Sequence, residues 1–545
     1  MSDTSIHDGD AGPGPERVDV LVVGMGFAGM YVLYCARQRG LTARAFEAGS
    51  DVGGTWFWNR YPGCRVDVDS VQYSYHFSGE LAKEWRWTEK FAAQSELLRY
   101  CNYVAGRFDL RRDAKFNTRV TSAVFDDETN LWTLRTDKGD VASAPYCIMA
   151  TGSLSTPYRP PYPGIEDFRG DWYHTGTWPH REVSFAGKRV GIIGTGSTGI
   201  QAIPVIAREA KHLTVFQRTP QYTSPARNRP MAPGEQEAFN ARHDDWRDEA
   251  MQTFNAITDY PPPTRHHHED TPEERRAYLE GRWEEGGMPQ AMLETYKNVA
   301  VDEAANKVVA DFVRDKIREI VEDPEVAERL CPPEDLPIGS KRPPIDTDYY
   351  ETFNRDNVTL VDIKSVPVES ITADGIKTGD VEYELDAIVF ATGFDAMTGS
   401  LLAIDIRTGT GASLKDAWSD GPDTYLGLMV AGLPNLFMIN GPGSPSVKAN
   451  MIMAIEHHTD WIMDLLDHLR EHGLDRIEAQ KQAQDEWVEH AREVAEATLM
   501  PVADSWYVGA NVPGKTRVYM PYFGGFDRYV KICEEVVADG YRGFR

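Results

Sequence analysis

The sequence predicts an α/β protein made of two Rossmann-like dinucleotide-binding domains with a helical insertion. Two glycine loops carry most of that prediction: Gly24-Met25-Gly26-Phe27-Ala28-Gly29 and Gly194-Thr195-Gly196-Ser197-Thr198-Gly199. Each follows a short apolar run and precedes a helical pattern. One such loop is a weak signal, but two in this setting point to two dinucleotides held by one chain. The third observation is a change of texture from about Ala226 to Asp335, where charged segments alternate with apolar residues at helical spacing, as in Val308 to Ile317.

In the first unit, Val18 to Val23 is β-branched and almost wholly apolar, the pattern of a buried parallel strand. The glycines allow a tight turn and close approach of backbone to a pyrophosphate at the helix N-terminus. A second strand, Ala43 to Phe46, ends at Glu47, about 20 residues past the loop, where a carboxylate accepts from a ribose hydroxyl. The second unit starts at Lys188 to Ile193 and repeats the pattern with one change. Its next strand, Leu213 to Phe216, runs into Gln217-Arg218-Thr219 with no acid. A carboxylate there would repel a 2′-phosphate, whereas a guanidinium binds one, so this nucleotide reads as NADP. The plainer reading of Arg218 is a solvated surface charge.

Two further apolar strands end in small, turn-permitting residues, at Ala150-Thr151-Gly152 and Ala391-Thr392-Gly393. The strand ending at Phe390 is expected to rejoin the first sheet. The expected organisation is a disordered tail over 1–16, the first domain over 17–155 and 383–545, and the second over 156–225 and 336–382, with the helical insertion over 226–335.

Composition narrows the function. The chain has 545 residues, 41% of them hydrophobic, enough for several domains and a sizeable core. A net charge of −27 argues against a nucleic-acid partner, which needs a concentrated basic face. No run of about 18 apolar residues is present, so no membrane span is expected. Met1 to Arg17 lacks the basic start and apolar centre of a signal peptide. The six cysteines, Cys35, Cys64, Cys101, Cys147, Cys331 and Cys533, form no pair of metal or redox spacing, and a reducing cytoplasm is the simplest setting. His266-His267-His268 reads as a solvated loop and Glu456-His457-His458 as part of a partly buried helix face, so no metal site is expected.

Between the glycine loops runs Phe168-Arg169-Gly170-Asp171-Trp172-Tyr173-His174-Thr175-Gly176-Thr177-Trp178-Pro179. With this motif the sequence resembles the Baeyer–Villiger monooxygenases, flavoproteins that convert ketones to esters or lactones, and most of all their phenylacetone- and cyclohexanone-oxidising branch. The resemblance runs from about Asp19 to the C-terminus. Gly53 to Gly63, Lys341-Arg342-Pro343 and Ser505 to Lys515 extend it. It implies FAD and NADP as cofactors, with a small ketone and O2 as partners. Gly24, Gly26, Gly29 and Glu47 would hold the adenine half of FAD. Thr55, Trp56, Asp67, Tyr73, Val120 and Met451 would lie around the rest. Gly194, Gly196, Ser197, Thr198, Gly199, Arg218, Thr219 and Lys341 would hold NADP, with Trp506 closing over it. Arg65 and Asp67 would border both cofactors. Arg342 would be the catalytic arginine, oriented by Asp67, and His174 and Trp178 would link the two domains.

The chemistry implied needs a permanent cation. NADPH reduces the flavin, O2 then gives a flavin peroxide, and its terminal oxygen must stay anionic to attack a carbonyl. Arginine is charged at any working pH and suits that task. Water must be kept out, or the peroxide decays. Apart from the resemblance, Lys341-Arg342 reads as a loop charge pair and Asp67 as a helix cap. An N- or S-oxygenating flavin monooxygenase shares the glycine loops, but its motif usually lacks the Trp178-Pro179 ending. A catalytically silent nucleotide-binding sensor should have lost Arg342 or Asp67. In the resembling family, the loop Gly441 to Asn450 borders the substrate and carries an apolar or small residue where Lys448 stands here. That ammonium either favours an anionic or polar ketone or snorkels to solvent.

Overall fold

The computed structural model describes residues 16–287 and 292–545. The tail expected over 1–16 lies outside this range except for Glu16, which starts the strand Glu16–Arg17 against Val141–Ala144.

The first parallel sheet has the order Leu436–Met438, Tyr146–Met149, Val20–Val23, Ala43–Phe46, Ala114–Lys115. All four residues of Val20–Val23 are buried, because the sheet is covered on both faces. Alternation sorts them: Val20 and Val22 join one core, Leu21 and Val23 another. The helix Phe27–Gln38 and the long helix Met451–Glu471 cover the first face, tied by Tyr31 Oη donating to Asp460 Oδ1 at 2.8 Å. The second face meets a mixed sheet containing Val120–Asp126, Leu131–Thr136, Val141–Ala144 and Asp405–Thr408. Its Trp132 is wholly buried and donates its indole N–H to Pro434 O at 2.8 Å.

The second parallel sheet has the order Val358–Asp362, His212–Gln217, Arg189–Ile193, Ala387–Phe390, Asp171–His174. This corrects the expectation that the strand ending at Phe390 rejoins the first sheet. It lies in the second one, between Arg189–Ile193 and the strand carrying His174. An all-apolar strand carries no mark of which parallel sheet receives it. Its environment decides, and Ile388 and Phe390 bury against Ile193, Phe216 and Leu385. The chain returns to the first half only afterwards, with Asp405–Thr408 and Leu436–Met438.

Between Ala226 and Asp335 the described chain is helical: Glu235–Ala241, His243–Met251, Pro272–Glu285, Glu303–Ile320 and Pro324–Leu330. Asp302 caps the longest of these by accepting from Ala305 N at 2.8 Å. Arg314, buried on that helix, donates to Pro332 O, Pro333 O and Tyr222 Oη, which pins the insertion to the second domain. No helix among the described residues is long and apolar enough to cross a membrane.

The helix Met451–Glu471 carries a buried relay. Asn440 N–H donates to His458 Nδ1 at 2.9 Å, so the proton of His458 sits on Nε2 and faces Tyr529 Oη at 2.9 Å. Tyr529 in turn donates to Leu426 O at 2.7 Å. Burial pushes His458 well below its ordinary value, and burial with the Arg247 charge pushes His457 down to about 4. Both are neutral when folded, while the unfolded chain protonates them below about pH 6.5. Their contribution is therefore present above pH 6.5 and lost as the pH falls from there towards 4. Thermal unfolding across pH 8 to 4.5 should show a flat Tm followed by a fall below 6.5. His458→Phe, less stable at pH 7.5, should lose less on acidification. Equal acid losses in both proteins would show that this imidazole is not what acid attacks.

Candidate active site

Each glycine turn is shaped by a strand end that passes against it. Gly24 adopts φ +105°, and a Cβ there would lie 2.5 Å from Ala150 O. A Cβ on Gly29 would lie 1.9 Å from Gly24 O, so only hydrogen fits where the helix leaves the turn. The second turn repeats this, with Gly194 at φ +110° and a Cβ on Gly199 reaching 2.2 Å from Gly194 O. Gly196 differs, for a Cβ there would meet nothing within 4 Å. That open space, at the start of the helix Ser197–Glu209 and beside Ser197 and Thr198, fits a phosphate cradled by backbone N–H groups.

Glu47 stands at the end of its strand beside the first turn, 6% exposed. Its Oε2 accepts from Met25 N at 2.8 Å and its Oε1 from Gly49 N at 2.6 Å. Burial pushes this carboxyl up, and the two N–H groups pull against that. Glu47 thus braces the glycine loop before it meets any ribose. Val120 is near by through Thr118, whose N–H donates to Glu47 O at 2.8 Å, but its side chain lies in the core with Val23 and Phe46.

Arg218 follows the strand His212–Gln217 and is exposed. Thr195 Oγ1 donates to Thr219 O at 3.1 Å, which joins the second turn to this strand end. Lys341 is half-buried near Arg218. Burial pushes its ammonium down and Arg218 adds to the push. Two cations held near each other in this way suit a dianion.

The segment from Tyr61 to Asp67 crosses between the halves. Tyr61 Oη donates to Gln201 Oε1 at 2.8 Å, and Gln201 Nε2 donates to Arg65 O at 3.1 Å. Arg65 Nη1 donates to Phe91 O at 2.7 Å and Glu89 Oε2 at 3.1 Å. Asp67 Oδ2 then accepts from Arg342 twice, from Nε at 3.0 Å and Nη2 at 2.8 Å. Arg342 Nη1 donates to Val447 O at 2.9 Å, and Gln221 Nε2 holds the backbone with a 2.7 Å bond to Arg342 O. Burial pulls the guanidinium down, but Asp67 and the Tyr507 phenol outweigh it and hold Arg342 above its ordinary value.

Trp56, in the short helix Thr55–Trp58, meets Tyr73 edge-on at 5.8 Å. Its buried indole Nε1 has no hydrogen-bond partner among the described residues, nor has Asn440 Oδ1, beside Met451 at the head of its helix. These groups fit a polar, planar ligand. Trp506 precedes Tyr507 in the turn Trp506–Val508, and the following segment is fastened to the strand end after Thr392. Asn511 Nδ2 donates to Phe394 O at 2.7 Å, and Lys515 Nζ donates to Ala396 O at 2.8 Å and pairs with Asp395.

His174 is locked. Its Nδ1 accepts from Gly176 N at 3.0 Å, so Nε2 carries the proton and donates to Tyr158 O at 3.1 Å. Thr392 Oγ1 donates to the same carbonyl at 2.5 Å. Burial pushes His174 down. With neither nitrogen free, this imidazole is a positioning group. Trp178 packs on Tyr173 at 5.2 Å and Phe185 at 6.2 Å. The contacts of Gln201, Gln221, Tyr507 and the Val447 carbonyl were not legible in the sequence, because each acts through its place in the fold.

Residues 17–224 match the family described as FMO-like: Flavin-binding monooxygenase-like. The chain is 43% identical over 530 residues to the acetone monooxygenase (methyl acetate-forming) of Gordonia sp. (strain TY-5), covering 97% of this chain and 98% of that protein. It is 48% identical to an oxidized steroid monooxygenase bound to NADP, with a TM-score of 0.92 and coverage of 97% and 99%. Cyclohexanone monooxygenase from Rhodococcus sp. Phi1 bound to NADP+ superposes with a TM-score of 0.95 at 42% identity, covering 98% and 99%.

The glycines divide into two tests. Gly29→Ala forces backbone apart and should cost about 1–3 kcal/mol of stability, as overpacking does. Gly196→Ala meets open space, so its Tm should match the wild type while its affinity for a dinucleotide phosphate falls. Calorimetry with nucleotide titration measures both. A Gly196→Ala protein that binds NADPH normally would remove this loop from the phosphate site.

Proposed function

The chain belongs to the flavin-binding monooxygenases of the Baeyer–Villiger type, and from that membership we propose a role for each part of its site. The activity is an FAD- and NADPH-dependent insertion of one oxygen atom beside a ketone carbonyl, giving an ester or lactone. When bound, FAD supplies the redox and oxygen chemistry, with NADPH as hydride donor.

The observation that carries the residue assignments is the Asp67–Arg342 pair at the junction of the two glycine-turn halves. Three of the five guanidinium N–H donors are engaged by Asp67 and Val447. The others are left to Tyr507 and to an oxygen that gains negative charge as insertion proceeds. Arg342 stabilises that charge without titrating, and Asp67 orients it. Arg65 holds the Asp67 segment in place. Gly24, Gly26, Gly29 and Glu47 hold the adenine half of FAD. Thr55, Trp56, Tyr73 and Met451 line the remainder with the backbone of Val120, whose side chain is in the core. Gly194, Gly196, Ser197, Thr198, Gly199 and Thr219 hold the NADP pyrophosphate end. Arg218 and Lys341 take the 2′-phosphate, and Trp506 covers the nucleotide. The buried aromatic wall of Tyr507 and Phe523 excludes water from the reacting centre. Six buried, unpaired cysteines support a reducing cytoplasm as the setting, and the net charge of −27 supports small molecules over nucleic acid as partners.

Two experiments test these roles. Replacing both Arg218 and Lys341 by alanine should raise KM for NADPH far more than for NADH, each lost charge-assisted contact costing on the order of 1.5–3 kcal/mol. An unchanged coenzyme preference would move the phosphate elsewhere. Arg342→Ala should separate the half-reactions. Hydride transfer needs an aligned NADPH but creates no anionic oxygen, so stopped-flow flavin reduction should survive. Ester formation should fall by about 10²–10³, with poor rescue by lysine, whose compact ammonium lacks the planar fork. Near-normal ester yield from Arg342→Ala would pass the stabilising role to another group.

A further inference from the structure

Lys448 is a cation that the roles above leave unused. It ends the short turn Ser446–Lys448, one residue after the Val447 carbonyl that accepts from Arg342. Its ammonium does not snorkel away from the site. Nζ lies 5.3 Å from the ring centroid of Tyr507 and 5.6 Å from that of Phe523. Tyr507 is also the residue whose phenol lies against Arg342. The ammonium is therefore one aromatic ring away from the arginine of the site.

Its charge is not neutralised there. Among the described residues Lys448 makes no ion pair within 4.0 Å. Glu294 is the carboxylate that acts on it, from beyond ion-pair distance, and its Oε1 accepts from the Asn255 amide. Burial and the nearby Arg342 push Lys448 down to about 8, so it is protonated at neutral pH. Aromatic faces attract a cation but do not cancel it. Arg342 already has Asp67, so an anion entering this space finds its unpaired partner in Lys448.

We propose that Lys448 is a specificity-determining residue that receives a carboxylate carried by the ketone, which makes keto acids the preferred substrate class. The inference rests on the placement of the reaction at Arg342. The ketone carbonyl lies at the arginine while the acid reaches across the Tyr507 ring to the ammonium, so selectivity peaks at one chain length.

The test uses the holoenzyme with methyl-ketone keto acids of increasing length and their methyl esters, in the wild type, Lys448→Met and Lys448→Arg. In the wild type the acid should exceed its ester in kcat/KM at the best length. Lys448→Met should reduce that ratio by about tenfold to a hundredfold, mainly through KM, and Lys448→Arg should keep most of it. The wild-type ratio should also fall as the pH rises through about 8, where Lys448 loses its proton beside Arg342, Glu294 and Tyr507, and stay flat in Lys448→Met. Hexanoate supplies a readout without turnover. It should perturb the flavin absorbance of the wild type saturably and that of Lys448→Met about tenfold more weakly. A ratio insensitive to Lys448, a wild type that favours the ester, or equal hexanoate binding in both proteins would each overturn the proposal. Failure of the wild type to oxygenate any ketone in the series would instead overturn the placement of the reaction.

Discussion

The ion pair between Asp67 and Arg342 holds together the part of the molecule where the two halves must cooperate. Its partners lie 275 residues apart in the chain. Asp67 comes from a segment fastened to the second glycine-turn helix through Gln201, and Arg342 from the stretch that follows the helical insertion. The same guanidinium reaches the Val447 carbonyl, in the loop between the first-sheet strand Leu436–Met438 and the helix Met451–Glu471. A half-buried arginine is tolerable only because its charge is paired and its donors are directed. Two segments of the first domain and one of the second are thereby required to arrive at one point.

A second set of contacts makes that arrival reproducible without adding charge. The strand carrying His174 borders Ala387–Phe390, and His174 and Thr392 share the Tyr158 carbonyl. Both imidazole nitrogens are engaged, so the ring can only hold position. Beyond Thr392, Phe394 to Ala396 receive Asn511 and Lys515. The strand end that turns at Gly393 therefore connects the sequence motif on one side to the segment carrying Trp506 and Tyr507 on the other. The motif acts through backbone carbonyls and one locked tautomer.

Most of the fold was legible wherever the backbone makes a demand that few residues meet. Gly24, Gly29, Gly194 and Gly199 read correctly because a side chain at any of them would strike a backbone oxygen. The helical insertion was legible from the spacing of Val309, Phe312, Val313 and Ile317, which share the buried face of one helix. Legibility failed where identity is set by neighbours distant in sequence. Ala387–Phe390 looked like any buried strand, and only its partners place it in the second sheet. The sequence offered Glu47 as a ribose ligand but did not show its bonds from Met25 N of the glycine turn and from Gly49 N. Gln201 belongs to no pattern, and the environment of Lys448 depends on rings contributed from beyond residue 500.

Charge placement follows from the same constraint. A chain of net charge −27 repels the anionic nucleotides it must bind, so attraction has to be local. Arg218 and Lys341 are kept near each other although burial, and then the Arg218 charge, push the Lys341 ammonium down. Such an arrangement disfavours the Lys341 charge in the protein alone, and the dianion of the proposed 2′-phosphate role would relieve it. Lys448 beside Arg342 is the same device at smaller scale. His174, His457 and His458 are instead pushed towards neutrality by burial. The molecule thus separates two uses of ionisable groups. Imidazoles hold the scaffold as neutral hydrogen-bonding or packing groups, and the cations Arg218, Lys341 and Lys448, which make no ion pair among the described residues, stand where the proposed roles place anions.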